Sequence, residues 1–448
     1  MIPVLAPEEM KAVDEAAPEP VEVLIGRAGA VVARAAVRLM GGAYGRRVVV
    51  VAGKGNNGAD GRWAAARLRR AGVRVAVIEA AGAPASLPVC DLVIDAAYGT
   101  GFRGEYHAPA PPLGTPVLAV DIPSGVDGLT GEAGAGAVRA DATVTFAALK
   151  PGLLLGQGRE RAGRVEVADI GLDVSSARVH LVEDADVRIP PRGRDAHKWQ
   201  SAVFVAAGSP GMTGAAVLAG RSALRAGAGN VRLGVPGADV ALLPLAEMVG
   251  ITLPREGWAD GVLDASSRCR ALVVGPGLGR HPEAAAQVRR VLEGADLPAV
   301  VDADGLVAAE EGRVPGGPVR VLTPHDGEYE RLCGSRPGAD RVDAARRLAR
   351  RAGAVVLLKG STTVVASPDG AVRLTTSGSS RLATAGSGDV LSGIIGAFLA
   401  RGLGGADAAS FGAHVHGAAA ALGPAEGLVA GDIADLYLPR WLSSRAGR

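Results

Sequence analysis

The chain has 448 residues, room for two or three domains of roughly 100–200 residues each. Hydrophobic residues make up 48% and charged residues 21%, which excludes a disordered or fibrous chain. With 48 basic against 46 acidic residues and 3% aromatics, it has neither the charge footprint nor the stacking surface of a nucleic-acid binder. Its 65 glycines are about twice the usual share of roughly 7% and follow no Gly-X-Y period, so the excess belongs in turns and ligand loops. Cys90, Cys269 and Cys333 are scattered and in no metal spacing, which points to a reducing compartment. The opening MIPVLAPEEMKAVDEA lacks a basic region followed by an apolar core, so no signal peptide is expected. Apolar runs such as 391–400 are too short to cross a membrane. A cytoplasmic α/β protein is the expectation.

In chain order, VVARAAVRLM (31–40) has helical spacing, and VVVVA (48–52) reads as a buried parallel strand. An Arg-rich amphipathic helix is predicted over 59–71, with strands over 73–80, 90–97, 116–122, 142–148 and 164–172. Strands alternating with helices imply a parallel sheet with ligands at its carboxyl edge. The charged, Pro- and Gly-containing stretch 183–196 predicts a linker. After it the pattern restarts, with a strand over 202–208, a small-residue helix over 214–229, and strands over 231–236, 271–277, 299–304, 320–325 and 354–360. A Gly-rich loop then enters a helix over 386–401, and no internal repeat is visible.

The chain uses Arg almost everywhere it needs a cation; its lysines are Lys11, Lys54, Lys150, Lys198 and Lys359, and its asparagines Asn56, Asn57 and Asn230. Lys is a compact point charge and Arg a planar fork, so a retained Lys marks a position where the fork does not serve. Most of these rare residues fall inside motifs.

GKGNNGADG (53–61) follows a strand and opens a helix, a place where backbone N–H groups can receive phosphate. Asp95 precedes the Gly loop YGTGFRG, and VDIPSGVDG presents Asp121 and Ser124 at another strand end. With KPGLLLG (150–156), these motifs make residues 1–172 resemble the YjeF N-terminal family of NAD(P)HX epimerases. The resemblance implies a potassium ion held by Asn57, Asp95 and Ser124, a set of hard oxygen ligands. It implies substrate contacts from Asn56, Asn57, Gly58, Ala59 and Asp60, from Gly99, Thr100, Gly101, Phe102, Arg103, Gly104 and Glu105, and from Asp121. Asp121 is the candidate acid/base and Lys150 its helper. Ala59 stands where the family's usual spelling has glycine, and LIGRAG (24–29) lacks the usual acidic residue.

In the second half, LATAGSGDVLSG (382–393) places Gly386, Ser387, Gly388 and Asp389 at a helix start, where N–H groups form an anion hole and Asp389 can take a hydroxyl proton. This is the ribokinase-superfamily signature. Combined with AGSPGMTGAA, GPGLG, TPHDGE and KGSTT, it makes residues 197–436 resemble the ADP/ATP-dependent NAD(P)HX dehydratases. The resemblance implies nucleotide contacts from Lys359, Gly360, Ser361, Thr362 and Thr363, and a hydrate pocket lined by Ala215, Gly277 and His325 beside Asp389.

The expected architecture is α/β throughout. It has a Rossmann-like three-layer α/β/α domain over 1–185 and a ribokinase-like α/β domain over 190–448. The expected function is epimerisation of R and S NAD(P)HX followed by dehydration of the S form with ADP or ATP. Potassium would serve the first site and magnesium with the nucleotide the second. Partners would be NADHX, NADPHX, ADP and ATP, with no nucleic acid or membrane, in a homo-oligomer. The alternative is a ribokinase-like kinase of a small alcohol with an auxiliary Rossmann-like domain.

Overall fold

A computed structural model describes residues 1–309 and 312–445. The chain divides into two compact units, Ile2–Val179 and the part from His180 onward together with Met1.

The first unit opens with β1 (Ile2–Val4) and α1 (Pro7–Glu15), neither visible in the apolar pattern, followed by α2 (Val21–Met40). The predicted helix over 31–40 thus begins ten residues earlier. Leu24 and Ala28 continue the buried stripe of Val31, Val32, Ala35, Ala36 and Met40 at helical spacing. Then come β2 (Arg47–Ala52), α3 (Asn56–Arg70), β3 (Arg74–Glu79), β4 (Leu92–Ala96), β5 (Val117–Val120), β6 (Ala142–Phe146), α4 (Gly156–Arg161) and β7 (Arg164–Ala168). The sheet order is β3-β2-β4-β5-β6-β7, with every pair parallel. β2, β4, β5 and β6 are buried along nearly their whole length, which is why they read as continuous Val/Ile/Leu/Ala runs. All their carboxyl ends meet at one edge. The predicted strand over 164–172 stops at Ala168.

Strand β8 (Val179–Leu181) carries the chain into the second unit. Its elements are β9 (Ala202–Ala206), α5 (Thr213–Arg225), β10 (Asn230–Pro236), β11 (Val249–Leu253), α6 (Ala259–Ser266), β12 (Ala271–Val274), α7 (Pro282–Gly294), β13 (Ala299–Val301), β14 (Arg320–Leu322), α8 (Asp326–Cys333), α9 (Arg341–Ala352), β15 (Val355–Leu358), β16 (Thr363–Ala366), β17 (Val372–Thr375), α10 (Ser387–Ala400) and α11 (Gly405–Ala420). From β15 the sheet runs β15-β14-β13-β12-β9-β10-β11, all parallel, and the hairpin β16-β17 adds antiparallel strands beyond β15. α10 and α11, nearly free of charge, are buried in the core with α5. The stretch 183–196 is not a free linker. Val182 joins the second core, Val187 and Ile189 pack on it, and Asp184 pairs with His414 at 2.7 Å and with Arg445.

Candidate functional site

In the first unit the carboxyl edge opens into a cavity of about 610 Å³. Asn56, Asn57, Asp60, Gly99, Thr100, Gly101, Phe102, Arg103, Asp121 and Lys150 all line it, together with Asp14. Its floor is an ion pair. Lys150, 1% exposed, sets its Nζ 2.7 Å from Asp121 Oδ1 and donates to Thr145 Oγ1 at 2.8 Å and to the Phe146 carbonyl at 3.2 Å. Thr145 in turn donates to Asp121 Oδ1 at 3.1 Å. Asp121 adopts φ 67°, a left-handed conformation costly for a non-glycine residue and held because its N–H bonds to Val144 at 2.7 Å. An arginine fork at position 150 would not fit this enclosed point contact.

Asn57 is the first turn's unsatisfied residue: both Oδ1 and Nδ2 are buried without a partner. Asp95, near the end of β4, and Ser124 are not among the residues lining the cavity; Asp95 is buried and accepts from Ser124 N at 2.8 Å, Ser124 Oγ at 2.7 Å and Ala97 N at 3.3 Å. Burial pushes its pKa up to about 6 against these hydrogen bonds, and no cation is among the groups that influence it. A buried carboxyl with no cationic partner among the described residues and an orphaned amide oxygen are groups that a monovalent cation would complete. The donor set therefore fits the potassium that the resemblance implied.

Gly58 and Ala59 do not line the cavity. A Cβ on Gly58 would come within 1.9 Å of the Gly53 carbonyl oxygen, so the glycine here serves a close backbone approach. Ala59 lies inside α3 and makes the ordinary helical bond from its N–H to Gly55, so its departure from the family spelling is accommodated. Arg62 closes the loop by donating to the Gly53 carbonyl at 2.7 Å. Gly104 faces a neighbouring hollow of about 580 Å³ with Gly125 and Asp127, and Glu105 is exposed.

Two further carboxyls, Asp60 and Asp14, line the cavity with Asp121 and Lys150. Asp60 is 7% exposed, and burial, Asp121 and Asp14 push its pKa up to about 8. Asp14 of α1 is raised as well, first by burial, with Lys150 opposing and Asp121 adding.

In the second unit, three neighbouring strands end at one cluster. Asp302, after β13, is 1% exposed and accepts at 2.6 Å from Lys359 Nζ after β15, from Thr323 Oγ1 after β14 and from Ser392 Oγ of α10. Burial opposes ionisation, but Lys359 and the three hydrogen bonds hold the Asp302 carboxyl below its ordinary range. Glu328 Oε2 lies 4.0 Å from Lys359 Nζ. Ala303 beside the cluster has φ 50°, another left-handed non-glycine residue at a strand end.

Gly386 caps α10 with φ 87°, the left-handed entry that glycine permits. A Cβ built on Gly388 would lie 3.6 Å from Lys359 Nζ, which sets the helix start directly over the Lys359–Asp302 pair. The N–H of Ser387 donates to the Thr384 carbonyl at 3.3 Å, so it is not free for the anion hole expected from it. The amides of Gly388 and Asp389, the next two of the first turn, have no intrahelical acceptor. Burial first, then the Asp302 charge, pushes Asp389 up to about 6, with Lys359 opposing.

Ala215 and Gly277 are brought together: a Cβ on Gly277 would stand 2.9 Å from that of Ala215. His325 is engaged structurally, its Nδ1 accepting from the Gly327 and Glu328 amides at 3.0 and 3.3 Å to cap α8. Glu328 links it to the Lys359 cluster, its Oε2 accepting from the His325 amide at 2.8 Å. Gly360 lies against Arg341, which donates to the Lys359 carbonyl at 2.7 Å; Ser361 is exposed, Thr362 is buried and Thr363 opens β16. The sequence reading missed Asp302, Thr323 and Ser392. It also missed His416 of α11, which burial and the Lys359 charge drive down to about 4. The DADG after a strand was the available signal for Asp302.

A family profile described as NAD(P)H-hydrate dehydratase matches residues 203–437. One described as YjeF-related protein N-terminus matches residues 21–88 and 79–152. The bifunctional NAD(P)H-hydrate repair enzyme Nnr of Mycobacterium leprae is 41% identical, covering 90% of this chain and 88% of its own. The protein of the same name from Moorella thermoacetica is 36% identical, covering 88% of this chain and 87% of its own. Among solved structures, the ADP/ATP-dependent NAD(P)H-hydrate dehydratase of Bacillus subtilis, co-crystallised with ATP and Mg2+, aligns with a TM-score of 0.52 at 32% identity. That alignment covers 58% of this chain and 97% of the other.

Proposed function

The chain belongs to the bifunctional NAD(P)H-hydrate repair enzymes, and from that membership we propose how its residues divide the two reactions. It acts as an NAD(P)H-hydrate epimerase and as a nucleotide-dependent NAD(P)H-hydrate dehydratase.

The epimerase belongs to the cavity of the first unit. The hydrate carries its hydroxyl on the ring carbon next to nitrogen, a centre that inverts by loss and return of water. Asp121, ion-paired with Lys150, is the acid/base for that centre. Asn56 and Asn57 at the start of α3 and the loop residues 99–103 hold the remainder of the dinucleotide. Potassium would be held by Asn57 Oδ1, Asp95 and Ser124 and would supply a fixed positive charge tying three loops together; the orphaned Asn57 amide supports that assignment.

The dehydratase belongs to the helix start over the Lys359–Asp302 pair, and that juxtaposition is the observation that carries the reading. Hydroxide is a poor leaving group, and phosphorylation makes it a good one. Asp389 takes the proton of the substrate hydroxyl as its oxygen attacks the terminal phosphoryl group of ADP or ATP. The amides at the start of α10 and the Lys359 ammonium neutralise charge on the transferred group. Phosphate then leaves the ring as a proton is lost from the adjacent carbon and the double bond re-forms. The donor is left as AMP or ADP. Magnesium arriving with the nucleotide would have phosphate oxygens as ligands, because Asp302 and Asp304 already have protein donors at 2.6–3.1 Å.

The test is recovery of the reduced-nicotinamide absorbance from hydrated cofactor supplied with ADP or ATP separately. Recovery only with nucleotide supports the reading. Recovery without any, or nucleotide consumption driven by a small alcohol instead of the hydrate, removes it.

A further inference from the structure

Inverting a ring carbon requires two proton movements: one to the departing oxygen on one face, one from the water arriving on the other. The ion-paired Asp121 supplies a carboxylate for one of these. The cavity also receives a second carboxyl from a different element, Asp60 on α3. Among the described residues no donor reaches the Asp60 side chain, although the residue is 7% exposed. It is therefore neither a helix cap nor a partner in a structural ion pair. The charged groups that share its cavity are Asp14 of α1, Glu19 ahead of α2, Arg103 of the 99–105 loop, and Asp121 and Lys150 beyond β5 and β6.

Resting on the assignment of the epimerase to this cavity, we propose that Asp60 is a second catalytic residue, working as the proton donor that complements Asp121. The acid form of Asp60 gives its proton to the hydroxyl oxygen. The C–O bond breaks with its electrons on oxygen, water departs, and the ring nitrogen lone pair forms the C=N bond of an iminium ion. Water then adds to the opposite face, the C=N electrons return to nitrogen, and the proton of the incoming water passes to Asp121. Nothing is oxidised or reduced. The enzyme is left with Asp60 ionised and Asp121 protonated. That state converts the other epimer by the same steps in reverse, or resets by proton exchange with solvent.

Burial together with the carboxylates of Asp121 and Asp14 raises Asp60 to about 8, so at neutral pH it is mostly the acid the scheme requires. Lys150 opposes this shift, and Asp14 helps sustain it.

The experiment measures epimerisation of hydrated NADH by the full-length protein across pH 6 to 10, for the wild type, Asp60→Asn and Asp14→Asn. For the wild type the rate falls on the alkaline side near pH 8. Asp60→Asn lowers the rate by roughly 10²–10⁴-fold and abolishes the alkaline limb, while hydrate binding followed by equilibrium titration stays within a few fold. Asp14→Asn removes a neighbouring negative charge, so the alkaline limb moves to lower pH with the peak rate largely retained. Should Asp60→Asn fail to fold, the displacement in Asp14→Asn decides alone. A wild-type protein that epimerises with no alkaline limb, an Asp60→Asn variant with the full rate, or an unmoved limb in Asp14→Asn overturns the proposal. A wild-type protein without epimerase activity at any pH instead overturns the assignment of the cavity.

Discussion

At the scale of single residues, both sites rest on carboxyls that the fold places at some cost. Asp121 is held at φ 67° beside Lys150, and Asp302 is sealed under Lys359, Thr323 and Ser392. Removing one member of a buried pair leaves the other uncompensated, so Lys359→Met should destabilise the second unit by about 3–5 kcal/mol in denaturant unfolding. Adding Asp302→Leu should recover much of that loss; no recovery would mean that the pair is not the source of the effect. Asp60 works in the opposite direction. Its folded pKa, about 8, lies above the unfolded value near 3.9. The folded state therefore binds the proton more tightly, and stability declines as pH rises from about 4 to 8. Asp60→Asn should leave the first unit more resistant to heat at pH 8 than the wild type, with the gap closing near pH 4. An equal gap at both pH values would show that the titration is not responsible.

The rare lysines and asparagines led to Lys150, Lys359 and Asn57 because in an arginine-biased chain each retained Lys or Asn stands out, and at an enclosed point contact the Arg fork cannot replace Lys. Asp302 and Asp14 escaped because an Asp among 46 acidic residues carries no compositional mark, and only burial distinguishes them. The structural engagement of His325 was equally hidden, since a helix-capping ring and a ligand-facing ring look alike in TPHDGE.

At the scale of elements, the strands of both sheets were legible because parallel strands buried on both faces read as unbroken apolar runs. α11 was not, because GADAASFGAHVHGAAA is buried nearly all round and so lacks an amphipathic period. α1 and the β16-β17 hairpin were too short or too mixed in pattern. The entry to α10 is the most constrained joint. Gly386 stands at φ 87°, and a Cβ there would come 2.4 Å from Leu218 Cδ1. Gly386→Ala should cost roughly 1–3 kcal/mol and tilt the helix start away from Lys359. The expected result is a lower melting transition for the second unit and a dehydratase rate that falls while epimerisation is unchanged. A variant with wild-type dehydratase rate would dissociate that geometry from catalysis. In the first unit, Asn57 and the strand-end pair Asp95–Ser124 define the cation prediction. Replacing potassium with tetramethylammonium should lower the epimerase rate and the melting temperature together, and Asp95→Asn should erase the difference between the two salts. Identical behaviour of the wild type in both salts would count against a bound ion.

At the scale of the whole molecule, the proposed division assigns the two reactions to different carboxyls in different units, Asp121 in one and Asp389 in the other. No helix among the described residues is long and apolar enough to cross a membrane. The family relationship covers both units, and each has its own core, the first built around β2, β4 and α2 and the second around α5, α10 and α11. The activities should therefore be separable by single substitutions. The most direct measurement follows recovery of reduced-nicotinamide absorbance from an R/S mixture of hydrated NADH with ADP or ATP present. The wild type should recover the whole mixture. Asp121→Asn should stop at the S fraction, Asp389→Asn should recover none of it, and an equal mixture of the two variants should again recover all of it. Full recovery by either variant alone at the wild-type rate, or failure of the mixed variants to complement, would contradict the division of labour between the two sites.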